Sequence, residues 1–298
     1  RRPGISGGLS QGGGKPFIYF RRDLVVQQAR DFLEESETLA RVLQPLSEQQ
    51  WSEKTQFKDW TFNEVIIHIH FWNRAADLSL NNPSGFQVFW NETSVEAVKD
   101  GLKSFENSSV QERGPKLLAS WQESYRDMAS RWKDMDPKVR VKWAGPEMSA
   151  RSSVTARQME TWAHGQAVFD QLGQERMEND RIRNIVILGV NTFGWSFKVH
   201  DMEAPAEMPS LSLISPSGEI WSFGEENSAD AIEGSAVEFC RVVTQTRNIA
   251  DTSLSVIGET AGKWMNIAQC FAGPPEEPPP VATRYPSNKS DSAKSTNG

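Results

Sequence analysis

Cysteine is nearly missing from this chain. Two thiols, Cys240 and Cys270, serve 298 residues. Both lie in apolar helical contexts, so they read as buried free thiols, no disulfide framework is available, and a reducing compartment is implied. Long hydrophobic runs are missing as well. No stretch approaches the ~20 apolar residues that span a bilayer, so no membrane partner is expected. Basic residues are outnumbered, 32 Lys and Arg against 39 Asp and Glu, and they form no block, which argues against nucleic acid as a partner. Arg1 to Lys15 is Gly-rich without the apolar centre of a signal peptide. Residues 1–21 read as a flexible leader, and the cytoplasm is the expected location. What is abundant is aromatic bulk: 11 tryptophans and 15 phenylalanines supply large surfaces for burial although only 38% of residues are hydrophobic.

The texture of the chain changes twice. From 22 to 175 the apolar residues recur near a 3.6 period, which predicts helices at 23–43, from Thr61 to about Leu80, at 116–132 and at 154–172. Thr61 and Glu64 form a capping-box pair at the start of the second, and Gly173 is a C-cap for the last. Residues 86–114 read as a polar connection with one short helix. From 181 to 273 short strands alternate with helices. Leu211–Ile214 and Glu219–Phe223 flank the turn residues Ser215-Pro216-Ser217-Gly218 as a hairpin. The expected fold is therefore mainly α, a four-helix bundle followed by a small α+β C-terminal domain. The Pro/Glu-rich, then Ser/Asn/Lys-rich tail at 274–298 reads as disordered.

The chemistry-bearing residues are few. Glu160 and His164 stand four apart in the predicted fourth helix, which puts carboxylate and imidazole on one face. Such a pair also occurs as an ordinary exposed helix contact. With one more histidine it becomes a two-histidine, one-carboxylate set that can hold zinc with an open position. The apolar second helix offers His68 and His70. They point about 200° apart, so one helix cannot direct both at one site. His200 has no partner spacing and reads as surface. Arg157, three before Glu160, can orient that carboxylate. Tyr125 is a candidate proton donor, although it sits on an apolar stripe. Trp72 and Trp162 are candidates for contacting a flat substrate.

The run Asp59-Trp60-Thr61-Phe62-Asn63-Glu64-Val65-Ile66-Ile67-His68 resembles the second-helix start of the DinB-like and mycothiol-dependent maleylpyruvate isomerase-like metal-binding bundles. Ala156 to Gly173 is similar to the fourth-helix motif of that family. The resemblance covers roughly residues 22–173 and implies His68, rather than His70, as metal ligand beside Glu160 and His164. Phe239 to Arg247 and Trp264 to Gly273 are similar to the α+β domain attached in one branch.

The resemblance implies a zinc-dependent enzyme, with other divalent metals able to fill the same donor set. The substrate would be a small, aromatic secondary metabolite and the reaction a lyase or isomerase step helped by Lewis-acid polarisation of a carbonyl. The Ser/Lys-rich composition reads as that of a fungal member, and fungal members include a cyclopenase that contracts a ring in quinolone alkaloid biosynthesis. The alternatives are a thiol-dependent isomerase or transferase of the same fold, and a non-catalytic metal-binding module.

Overall fold

The computed structural model describes residues 26–226 and 229–287. The leader expected at 1–21 lies outside the described residues, as does 288–298. Among the described residues the helices are α1 (Val26–Leu43), α2 (Phe62–Asn81), α3 (Pro83–Asp100), α4 (Leu102–Ser109), α5 (Gly114–Trp132), α6 (Ala150–Leu172), α7 (Arg183–Asn191), α8 (Phe193–Val199), α9 (Ala236–Val243) and α10 (Glu259–Ile267). The strands are β1 (Arg140–Val141), β2 (Met148–Ser149), β3 (Ser210–Ile214), β4 (Ile220–Phe223), β5 (Ala231–Ser235) and β6 (Ser255–Ile257). The expected fold class holds: a helical bundle precedes a small α+β part.

The long helices α1, α2, α5 and α6 make the bundle, with α1 and α2 each packed on both α5 and α6. The caps that start α2 and end α6 are those expected. Thr61 Oγ1 accepts from the Glu64 amide at 3.2 Å, and the Thr61 amide donates to Glu64 Oε2 at 2.7 Å. Gly173 closes α6 in the left-handed conformation at φ 62°, which a residue with a side chain adopts only at a cost. Phe32, Phe62, Trp121 and Trp132 are fully buried in the bundle core, and each contributes roughly 1.5–3 kcal/mol by leaving water.

The connection between α2 and α5 differs from expectation. It holds two helices, α3 and α4, rather than one short one. Asn82-Pro83, just past the expected end of the second helix, starts a helix of its own. The Asn82 side chain accepts from the Gly85 amide at 3.0 Å, and Pro83 sits at the first helical position, where its missing N–H costs nothing. α7 and α8 were likewise not anticipated.

In the C-terminal part, a four-stranded sheet runs in the order β4-β3-β5-β6. The hairpin β3–β4 is antiparallel, β3 pairs with β5 in parallel, and β5 pairs with β6 antiparallel. A second core gathers Leu213, Trp221, Ile232, Phe239 and Trp264 with Met159 and Trp162 of α6.

The tail expectation is corrected for residues 274–287, which pack against the folded chain. Gln269 Oε1 accepts from the Glu276 amide at 3.0 Å, Asn248 donates to the Pro279 carbonyl at 2.9 Å, and the Ser287 amide donates to the Asp170 carbonyl at 2.7 Å. A proline-rich segment has little apolar surface of its own to bury. Here glutamine and asparagine side chains elsewhere satisfy its backbone instead. No helix among the described residues is long and apolar enough to cross a membrane.

Candidate metal centre

α2 and α6 face each other across the bundle and bring His68 to Glu160 and His164. One ligand atom from each of the three lies within 4.8 Å of the others. The His68 and His164 rings are 4.6 Å apart between centroids, and His164 Nε2 is 3.1 Å from Glu160 Oε2. Zinc bonds of ~2.0–2.2 Å in a tetrahedron place neighbouring ligand atoms roughly 3.3–3.5 Å apart, so the α6 pair is close to the spacing a bound cation requires. Each of the three side chains keeps 14–19% of its surface exposed. The cluster therefore keeps a small part of its surface in reach of solvent. The donor set fits a divalent metal.

The electrostatics favour the deprotonated forms that bind metal. Burial pushes the Glu160 carboxyl up, but the hydrogen bond from His164 and the charges of Arg157, His164 and His68 outweigh it and hold the group at about 2. Burial, and then His68, pushes His164 below the ordinary histidine range, toward the neutral imidazole.

The loop before α2 builds one wall. A bridge between Lys54 and Thr61 closes it, and Lys58 and Asp59 turn it with φ of 50° and 57°, a conformation that costs free energy for residues other than glycine. The turn sets Phe57 edge-on to His164 at 5.0 Å and lays Trp60 parallel to His164 at 5.9 Å, while Trp60 meets His68 edge-on at 5.2 Å.

The weaker candidates separate. Arg157 reaches Glu160, with Nη2 3.5 Å from Oε1. It is 3% exposed and lies over the Trp143 ring at 5.2 Å. Trp72 stands beside His68, ring centroids 6.4 Å apart, with its indole N–H on Glu106. Trp162 and Tyr125 are corrections. Trp162 is fully buried between the bundle and the C-terminal part, where its indole N–H donates to Glu178 at 3.0 Å. Tyr125 is fully buried in the bundle core against Trp121 at 4.8 Å, as its place on the apolar stripe of α5 dictates. Neither joins the cluster. His70 points away from His68 and lines a cavity of about 570 Å³ with Arg74, Asp77 and Glu123 on the far side of α2. His200 ends α8, its ring held by the Ser196 carbonyl at 2.8 Å.

One residue at the site carried no sequence signal. Glu106 of α4 reaches His68 Nδ1 with both carboxylate oxygens, at 3.0 and 3.1 Å. It stands 38 positions away in a polar segment, and no spacing rule connects the two.

The chain is similar to several known proteins. The family model of the mycothiol maleylpyruvate isomerase N-terminal domain matches residues 32–169, a span that holds all three donors. Two uncharacterized proteins of Mycobacterium tuberculosis, from strains CDC 1551 and H37Rv, are each 35% identical over 246 residues, covering 82% of this chain and 95% of the relative. Crystal structures of the mycothiol-dependent maleylpyruvate isomerase, one of them of a mutant, superpose with TM-scores of 0.46 and 0.47 at 15% and 16% identity, over 73% of this chain and 88% of theirs.

Proposed function

Because the chain belongs to the mycothiol maleylpyruvate isomerase N-terminal domain family, we propose that it is a metal-dependent, isomerase-type enzyme acting on a small molecule, with His68, Glu160 and His164 as the protein ligands and zinc as the metal. The observation that carries this is the convergence of the three donors from two facing helices. Structural zinc sites are normally closed by four protein ligands. Among the described residues no fourth histidine, cysteine or carboxylate joins the three, which supports an open, catalytic arrangement.

A cation held by His68, Glu160 and His164 would supply Lewis acidity toward an oxygen or sulfur atom of the small molecule. The rest falls to the chain. His68 and His164 supply neutral imidazoles and Glu160 a charged carboxylate. Arg157 balances that carboxylate from within the protein. Phe57 and Trp60 hold water off one side and offer aromatic faces, which suits a flat, unsaturated substrate.

Two narrower reactions use the same centre. The family relationship favours isomerisation that depends on a small thiol. The lyase reading is a cyclopenase-type ring contraction of an aromatic metabolite, started by polarising an amide carbonyl. Assaying maleylpyruvate-like and benzodiazepinedione-like substrates with and without small thiols separates them: turnover that requires thiol supports the first, and thiol-independent ring contraction the second.

The test of the shared proposal is elemental analysis of purified protein. Wild type is expected to hold about one metal per chain, and H68A, E160Q and H164A each to lose metal and turnover together. Metal at wild-type stoichiometry in all three variants would refute the ligand assignment.

A further inference from the structure

We propose that Glu106 is a positioning residue that fixes the ring of His68 so that Nε2 is the metal donor, an inference that rests on the metal reading above. The argument begins with burial. Glu106 is 1% exposed, and among the described residues its polar partners are His68 and Trp72 alone. Among the described residues no lysine or arginine pairs with it. A carboxylate removed from water without a cation is expensive, and the plain structural remedy, an apolar residue in α4, would avoid the cost.

The geometry gives the carboxylate a task. His68 and Trp72 are four apart on α2, so their side chains leave the same face. Both converge on Glu106: Nδ1 of His68 at 3.0 and 3.1 Å, and the indole N–H of Trp72, which donates to Oε1 at 2.7 Å. The indole pins the carboxylate, and the carboxylate in turn straddles Nδ1. With Nδ1–H committed to Glu106, the lone pair of Nε2 is the one left to face Glu160 and His164. Free imidazole can carry its proton on either nitrogen, and a ring turned the wrong way would present N–H to the metal. A carboxylate behind a metal-bound histidine settles the tautomer and the orientation and makes the ring a stronger donor. The missing counter-charge then comes through the ring, from the cation on its other nitrogen.

The substitution Glu106→Gln tests this with little change of shape, because the amide oxygen can still accept from Trp72 and His68 while the negative charge is gone. Zinc affinity of the full chain is measured by competition with a chelator, beside the melting temperature of the metal-free protein. E106Q is expected to bind zinc 10–100-fold more weakly, still at one per chain, with a melt close to wild type. Affinity within about twofold of wild type overturns the inference and leaves the metal site standing. Wild type that binds no zinc overturns both. Nitrogen-15 NMR of zinc-loaded wild type decides independently of whether E106Q folds: His68 metal-bound through Nε2 with a slowly exchanging Nδ1 proton supports the assignment, and coordination through Nδ1 overturns it.

Discussion

The sharpest stability prediction concerns Asp170, about two turns beyond the proposed metal ligands on α6. Its carboxylate meets Arg247 of the C-terminal part through two bonds, Nη1 to Oδ2 at 2.8 Å and Nη2 to Oδ1 at 2.7 Å, and Oδ1 also accepts from Gln166 at 2.9 Å. The side chains are 3% and 8% exposed, so water screens the pair little. Arg241 and Arg284 feel both members: burial, and after it Arg247, pushes their ionisation down, and Asp170 opposes it. Asp170 thus offsets repulsion among three arginines. Asp170→Asn keeps the volume and removes the charge, which leaves Arg247 buried without its partner. Breaking a buried pair from one side costs about 3–5 kcal/mol, and at ~2–4 °C per kcal/mol for a chain of this size the melt drops by roughly 10 °C. The assay is urea unfolding followed by tryptophan fluorescence on D170N, R247M and the double variant. Most of the loss is expected to return in the double variant, because it leaves no orphaned charge, and metal stoichiometry is expected to stay at one per chain in all three. A loss below about 1 kcal/mol for D170N, or strictly additive losses in the double variant, would refute the reasoning.

Three further outcomes can be checked. His70 is buried and held neutral, its ionisation depressed to about 4 first by burial and then by Arg74. The unfolded chain takes up that proton from about pH 6.5 downward, so folded stability falls as pH drops from 6.5 to 4, by on the order of 3 kcal/mol; H70Q should flatten denaturation curves over that window, and an unchanged slope would remove His70 as the cause. Burial pushes the thiols of Cys240 and Cys270 well above their usual range, so neither should react with a thiol reagent until the protein unfolds, and rapid labelling of the native chain would contradict their placement. Removing residues 274–298 takes away the backbone partners of Gln269 and Asn248 and should lower stability by roughly 1–3 kcal/mol, read as an earlier thermal melt; a melt equal to that of the full chain would show that the strap adds nothing.

Legibility in the sequence followed the range of the interaction. The start of α2 was readable because Thr61 and Glu64 are three apart and cap one another, and the end of α6 because Gly173 answers a local demand for positive φ. The same local logic was available at Asn82-Pro83, where a cap and a helix-starting proline look like a break when no clear apolar stripe follows. In α3 the stripe of Phe86, Phe89 and Trp90 that packs on the core is short, and the exposed Val88, Val95 and Val98 blur its period. The Glu160–His164 pair was visible as spacing, and it took the resemblance to prefer His68 over His70. Glu106 could not be found this way, because its link to His68 is tertiary and α4 offers no pattern to align it. Trp162 and Tyr125 were misplaced for one reason: an aromatic side chain that could line a pocket and one that fills a core look alike until the packing is known.

The packing of α6 explains why the site and the C-terminal part come as one object. A helix at a protein surface keeps a polar side, whereas α6 is enclosed nearly all round. One face carries Glu160 and His164 toward α2. A second meets α1 so closely that a Cβ added at Gly165 would stand 3.3 Å from Leu39; this accounts for a glycine in mid-helix, where it costs up to about 1 kcal/mol. A third buries Met159 and Trp162 in the C-terminal core and ties Asp170 to Arg247. Met159 is the immediate neighbour of Glu160, and Trp162 lies between Glu160 and His164. The side chains that dock the C-terminal part therefore alternate along α6 with those that would hold the metal, and a shift in that docking turns the helix that sets the ligand geometry. The α+β part is in this sense the outer support of the candidate metal centre, through a single shared helix, and among the described residues none of its own side chains belongs to the donor set.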